Sequence, residues 1–289
     1  MNKLKQLQIL IFCSLFCSCG GSNYLTSMSN QNSDEAIYQD VLTLADAKSW
    51  DSAISRLGDM SSDYRDRQDV SQTEAGVDAG KCGLDFLSFV TQVGSAGASG
   101  IFGTFMSGFT TTTVFPSYCQ SAQTVIENRI GANAASRVTS LGSTAGNNVN
   151  TFMAVLGAAK IGTLLRSVAD TDQNGVVDAT FDACLSTSIT DAQIAQVGTG
   201  FALLLTNIST IVASLSSATS TALTNLSTSC SSLVPNPCAI TDPTDATWSN
   251  ATVLMAFRSL IKSSTIGIQS CASPGNGGNP LPYPFNCCP

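Results

Sequence analysis

The sequence predicts an all-α protein, an irregular helical bundle, from three observations. Ile194, Val197, Phe201, Leu204, Ile208, Ile211 and Leu215 step by three and four residues, with Ser, Thr, Gln and Asn on the other faces. That period lays one apolar seam along a helix. The run Asn148–Ala169 carries Val149, Phe152, Met153, Val155, Leu156, Ile161, Leu164, Leu165 and Val168, so it is apolar nearly all round. Such a helix belongs in the middle of a core. Thr190-Asp191-Ala192-Gln193 reads as a capping box, with Ile189 and Ile194 placed as a hydrophobic staple.

The chain opens with Lys3 and Lys5 followed by the apolar run Ile9–Phe16, too short to span a bilayer. Phe16-Cys17-Ser18-Cys19-Gly20 follows. A small residue before a cysteine resembles the lipobox of bacterial lipoproteins. The resemblance implies a signal peptide over residues 1–18, lipidation of Cys19, and an anchor in the outer membrane, since Gly20 rather than Asp follows the cysteine. Residues 19–33 are polar and aperiodic and read as a tether. Of eleven cysteines, removing Cys13, Cys17 and Cys19 leaves eight: Cys82, Cys119, Cys184, Cys230, Cys238, Cys271, Cys287 and Cys288. An even count in an exported chain argues for disulfides. Spacing favours Cys230 with Cys238, and Cys271 with Cys287 or Cys288.

Ser33 is placed to cap a helix that Asp34 and Glu35 favour at its N-terminus. Ile37, Val41 and Leu44 form its stripe, and Trp50, Ala53, Ile54 and Leu57 that of a second helix. A third starts near Arg67, with Val70, Val77, Leu84 and Leu87 recurring. The hairpin carrying Trp50, Ala53 and Leu57 is similar to a tetratricopeptide repeat, over residues 34–91 at most; a generic helix bundle explains the same spacing. A larger bundle is expected over 92–272. Its first part, Val93–Phe115, mixes Gly94, Gly97, Gly100, Gly103 and Gly108 with Phe102, Phe105 and Phe109 and carries no charge. That suits a buried Gly-rich hairpin better than a membrane-inserting segment, because glycine weakens a helix. Shorter helices are expected over Tyr118–Ile130 and Ala132–Leu141. Lys160 and Arg166, the only charges in Asn148–Ala169, are expected to snorkel or to meet acids nearby. The seam extends the next helix over Asp191–Ser229. Val234–Asp245 reads as a link, Trp248–Cys271 as a last helix, and 273–289 as a Pro/Gly/Cys strap.

Between the two greasiest runs lies Asp170–Asp182. Asp170, Asp172, Asn174, Gly175, Val176 and Asp178 fall at the first, third, fifth, sixth, seventh and ninth places of a loop that resembles the EF-hand. The resemblance implies Ca²⁺ held by side-chain oxygens of Asp170, Asp172, Asn174 and Asp178 and the carbonyl of Val176. The motif's closing carboxylate should stand at Phe181; Asp182 comes one residue late. In that respect the loop also resembles thrombospondin type 3 repeats, with Asp182 and Cys184 in the closing places. An Asx-rich surface turn uses the same residues, and the three aligned oxygens with the obligatory glycine favour calcium.

The chain has no histidine, which excludes Ser-His and Cys-His dyads and His-ligated zinc. It has no P-loop and no dinucleotide fingerprint. Its formal charge of −7 becomes −9 without Lys3 and Lys5, which speaks against nucleic acid as a partner. The expected function is therefore a calcium- and disulfide-stabilised lipoprotein acting as a protein-binding or scaffold module, its protein partner unspecified. Two alternatives stay open. One is a carboxylate hydrolase of envelope glycan or peptide using Asp59, Asp63, Asp66 and Asp69, which also read as a solvated face; the other is lipid handling through residues 93–115.

Overall fold

Every regular element of the described residues is helical. The computed structural model describes residues 31–94, 100–109, 113–210, 217–231, 233–271, 281 and 283–289, and these contain twelve α-helices and no strand. Cys19, the signal peptide and most of the tether lie outside the described residues.

The first helices enclose a small core of their own. Helices α1 (Asp34–Asp46) and α2 (Trp50–Gly58) form a hairpin, the one-turn α3 (Ser62–Arg65) follows, and α4 (Gln68–Cys82) returns across them. Ser33 accepts a hydrogen bond from the Ala36 amide, as its capping role requires. Ile37, Val41, Ala53, Leu57, Met60, Val70 and Val77 interlock beneath. Glycine fixes the approach of α2 to α4: a Cβ on Gly80 would lie 2.6 Å from the Trp50 ring. Gly83 ends α4 at φ 116°, a left-handed conformation that glycine adopts without strain.

The main core follows. After α5 (Phe86–Gly94) come α6 (Ile101–Ser107), α7 (Pro116–Arg129), α8 (Ala134–Leu141) and α9 (Ser143–Ala169). Beyond the loop run α10 (Asp191–Asn207), α11 (Ser217–Ser231) and α12 (Ala251–Lys262). Helix α9 is long and apolar enough to cross a membrane, but its neighbours bury most of it, as they do any central core helix. It meets α10 backbone to backbone, since a Cβ on Gly157 would sit 2.6 Å from the Gly200 carbonyl oxygen, and one on Gly200 2.9 Å from that of Gly157. Gly162 takes the Phe105 carbonyl of α6 in the same way. Within the Gly-rich stretch, Ile101, Phe102, Phe105, Met106 and Phe109 are all buried, while residues 95–99 and 110–112 lie outside the described residues. Phe102, Phe201, Phe257 and Trp248 then stack edge-on in succession, 5.9, 6.2 and 5.2 Å between centroids, joining α6 to α10 and α12.

All eight expected cysteines pair, as Cys82–Cys119, Cys184–Cys288, Cys230–Cys238 and Cys271–Cys287. The strap is tied down twice by these bonds, and Phe285 and the Cys288 amide, which donates to the Ser259 hydroxyl, seat its end in the core.

Three expectations need correction. The seam does not run unbroken to Ser229: α10 ends at Asn207, a 3-10 turn covers Ile208–Thr210, and Ile211 and Leu215 fall outside the described residues. That end is tied to distant residues: Arg137, 1% exposed, donates to Asn207 Oδ1 and to Asn150 Oδ1, each at 2.6 Å. The last helix stops at Lys262, not Cys271. Ser263 turns extended, its hydroxyl accepts the Ile266 and Gly267 amides, and the Ile268 amide returns to the Ile261 carbonyl. Lys160 does not snorkel, and among the described residues it forms no ion pair; the acids Glu127 and Asp242 act on its charge only from a distance. Its ammonium is buried and donates to the side-chain oxygens of Gln120, Gln123 and Thr199, the last two at 3.0 and 2.7 Å. All three of its donors are thus used, while burial pushes its pKa down to about 7.

The glycine crossing sets a test. Gly157→Ala forces backbone against backbone and should lower stability by about 1–3 kcal/mol in urea unfolding. Gly58→Ala, with nothing within 4 Å of the new methyl, should be neutral or slightly stabilising.

Candidate metal centre

Helix α9 stops at Asp170, whose backbone leaves the helical region (φ −140°, ψ 65°) and starts the loop. Two left-handed residues bend it back, Gln173 at φ 63° and Gly175 at φ 84°; glycine is the residue that takes this conformation freely. The bend brings carboxylate oxygens of Asp170, Asp172 and Asp178 within 4.8 Å of one another. Asp170 is fully buried, Asp172 exposed and Asp178 between the two, so the cluster opens from the core to solvent.

Each carboxylate is positioned by local donors. Asp170 Oδ1 accepts the Asn174 amide at 3.0 Å, and Oδ2 accepts the Gly175 amide at 2.9 Å. The same Oδ2 meets Arg166 Nη1 at 2.5 Å, both side chains being almost wholly buried. Asp178 Oδ2 accepts the Thr171 hydroxyl at 2.5 Å and the Thr171 amide at 3.1 Å. These two bonds hold the Asp178 carboxyl below the usual carboxylate range, and it is ionised at neutral pH. Asp178 Oδ1 accepts no hydrogen bond from the described residues. Asp172 Oδ1 and Oδ2 accept the main-chain and side-chain amides of Asn174, at 3.2 and 2.7 Å.

The other expected ligands sit differently. Asn174 Oδ1 accepts the Val176 amide at 2.7 Å, an Asx turn that shapes the loop. Val176 is exposed, 66% accessible. Asp182 is not part of the cluster. Phe181 is anchored in the core, and this turns the next residue the other way, so that Asp182 Oδ1 meets Lys262 Nζ at 2.9 Å and accepts the Cys184 amide at 3.0 Å. Burial opposes ionisation of that carboxyl, but the Cys184 amide and Lys262 more than offset it.

The donor set suits a hard cation. Three carboxylates face one guanidinium, which leaves a local excess of negative charge; Asp170 Oδ2 and Asp178 Oδ2 already take two donors each, while Asp170 Oδ1 and both Asp172 oxygens keep a second lone pair and Asp178 Oδ1 keeps both. Calcium takes about six to eight oxygens, and the closing bidentate carboxylate is replaced by Phe181, so the loop would hold a partly hydrated ion.

Elsewhere, the acidic run between α2 and α4 behaves as a solvated face. Asp59 pairs with Arg56, Asp66 with Arg129 and Asp69 with Arg67, at 2.9–3.1 Å, and Asp63 is exposed. The residues that composition passes over are Glu74 and Asp78, both buried and one helical turn apart on α4. Their spacing on a helix otherwise lined with Ala and Gly is the signal that marks them.

The Arg166–Asp170 pair links the loop to the core and can be tested alone. Arg166→Met leaves Asp170 buried without its counter-charge and should cost about 3–5 kcal/mol in chelator, measured by urea unfolding. Millimolar calcium should return part of that loss if the ion takes the vacated charge.

No family model, no curated protein and no solved structure matches this chain, so its chemistry is read from its own residues.

Proposed function

We propose that this chain is an envelope lipoprotein, tethered to the bacterial outer membrane through Cys19, whose helical body is a calcium- and disulfide-stabilised binding or scaffold module. The convergence of Asp170, Asp172 and Asp178 at the end of the central helix is the observation that carries the reading. Complete pairing of the eight cysteines beyond the signal peptide supports an oxidising compartment. The lack of histidine and of nucleotide motifs supports binding over catalysis. The ion has a mechanical role in this account. It neutralises the loop's carboxylates and pins the link between α9 and α10, and with them the outer surface that a partner would meet.

Extracellular calcium modules bind with Kd of about 10⁻⁴–10⁻³ M. At about 10 mM calcium, that affinity stabilises the folded state by about 1.4–2.7 kcal/mol. The melting temperature should therefore rise by several degrees over that in chelator, and Asp172→Asn combined with Asp178→Asn should abolish the rise. A melting temperature indifferent to calcium overturns the ion reading. In a bacterial host, Cys19→Ser should move the protein from the membrane pellet to the soluble fraction, and retention in the pellet overturns the anchor.

A further inference from the structure

Helices α2, α3, α4 and α7 leave a cleft of about 390 Å³ between the small core and the main one. Glu74, Asp78 and Arg65 line one side, and Tyr118, Ser121 and Thr124 of α7 the other, with aliphatic side chains between. The two carboxyls have opposite circumstances. Glu74 accepts Arg65 Nε and Nη2 at 2.9 and 2.6 Å and Arg129 Nη1 at 2.7 Å, so it is saturated by two guanidiniums. Asp78, one turn further along the same helix, is only 7% exposed, lines the cleft, and accepts no hydrogen bond from the described residues.

A carboxyl this little exposed and without a protein donor has lost most of its hydration, and the water it keeps reaches it through the cleft that it lines. What it lacks is a cation, and the neighbouring cations are taken. Arg65 and Arg129 are held by Glu74, and Arg129 also by Asp66 at 3.1 Å. With Asp78 ionised, these two arginines and three acids sum to a single negative charge, which one monovalent cation would cancel. A divalent metal is a poorer fit, since Glu74 is already covered by guanidiniums that repel it. The Tyr118 hydroxyl makes no hydrogen bond within the described residues and is an acceptor for the remaining protons of an ammonium group.

We propose that this cleft binds a small primary amine, its ammonium on Asp78 and its hydrocarbon arm along the aliphatic wall. The site is independent of the calcium loop and gives the binding-module reading a ligand class. Burial, and secondly the charge of Glu74, raise the Asp78 carboxyl to about 7, with Arg65 and Arg129 opposing. Among the groups lining the cleft, α3 supplies Arg65, α4 supplies Glu74, α7 supplies Tyr118, and α2 supplies no charge.

The test is calorimetric titration of the full chain with n-pentylamine and, separately, 1-pentanol, in chelator at pH 8. Pentylamine should bind with Kd of about 1 mM, pentanol at least about tenfold more weakly, and Asp78→Asn should remove the difference between them. On the unaltered protein, pentylamine affinity should fall about tenfold from pH 8 to pH 6 as Asp78 takes up its proton, a readout that needs no variant to fold. Equal binding of amine and alcohol, no binding of either, or affinity unchanged between the two pH values overturns the proposal.

Discussion

The contact of Gly157 with Gly200 is the constraint on which the rest of the body depends. Two helices can approach until carbonyl oxygens lie where Cβ atoms would otherwise stand only if both give up their side chains there. That approach brings Lys160, three residues along, against Thr199, so that a buried ammonium finds its acceptors. It also brings Phe201 into the aromatic succession that ends at Trp248, whose ring rests on Gly198. With α9 and α10 in register, the loop between them has fixed ends, and its carboxylates are gathered by a bend of only a few residues.

The loop and the core are coupled through charge as well as through chain connectivity. Arg166 lies in the last turn of α9, where a cation also suits the helix dipole. It faces Asp170, the one buried carboxylate of the cluster. The protein has thus neutralised the deepest member of the trio with its own side chain and left the outer two to solvent or to an ion. An ion bound at this place, as proposed, would act on the outer carboxylates first, and on the body through Asp170.

Much of this was legible in the sequence because it is local. Apolar periodicity located α9 and the start of α10, and side-chain oxygens at Ser33 and Thr190 marked helix beginnings that the structure has in those places, Thr190 in a reciprocal cap with Gln193. The short Cys230–Cys238 separation was a sound guide to pairing. What was not legible came from partners distant in sequence. Asn207, the last residue of α10, is held by Arg137 reaching it from α8. Asp182 leaves the loop because Phe181 is held in the core and Lys262 waits beyond it. Lys160 is content among amides and a hydroxyl because α7 and α10 supply them together. Periodicity reports which face is dry; it does not report which polar atom from another helix will be found there, and Asp78 shows that sometimes none is.

The pattern of cysteine pairing has a topological outcome. Cys82–Cys119 and Cys184–Cys288 close two covalent rings, of separations 37 and 104, with the two remaining bonds nested inside the larger. Helix α9 and the carboxylate loop belong to neither ring; they form the single linear bridge that joins them. A peptide bond cut inside either ring leaves the molecule in one piece, whereas one cut between Cys119 and Cys184 divides it. The Asp/Gly loop is an exposed part of that bridge, so its shielding bears on whether a nicked body stays whole.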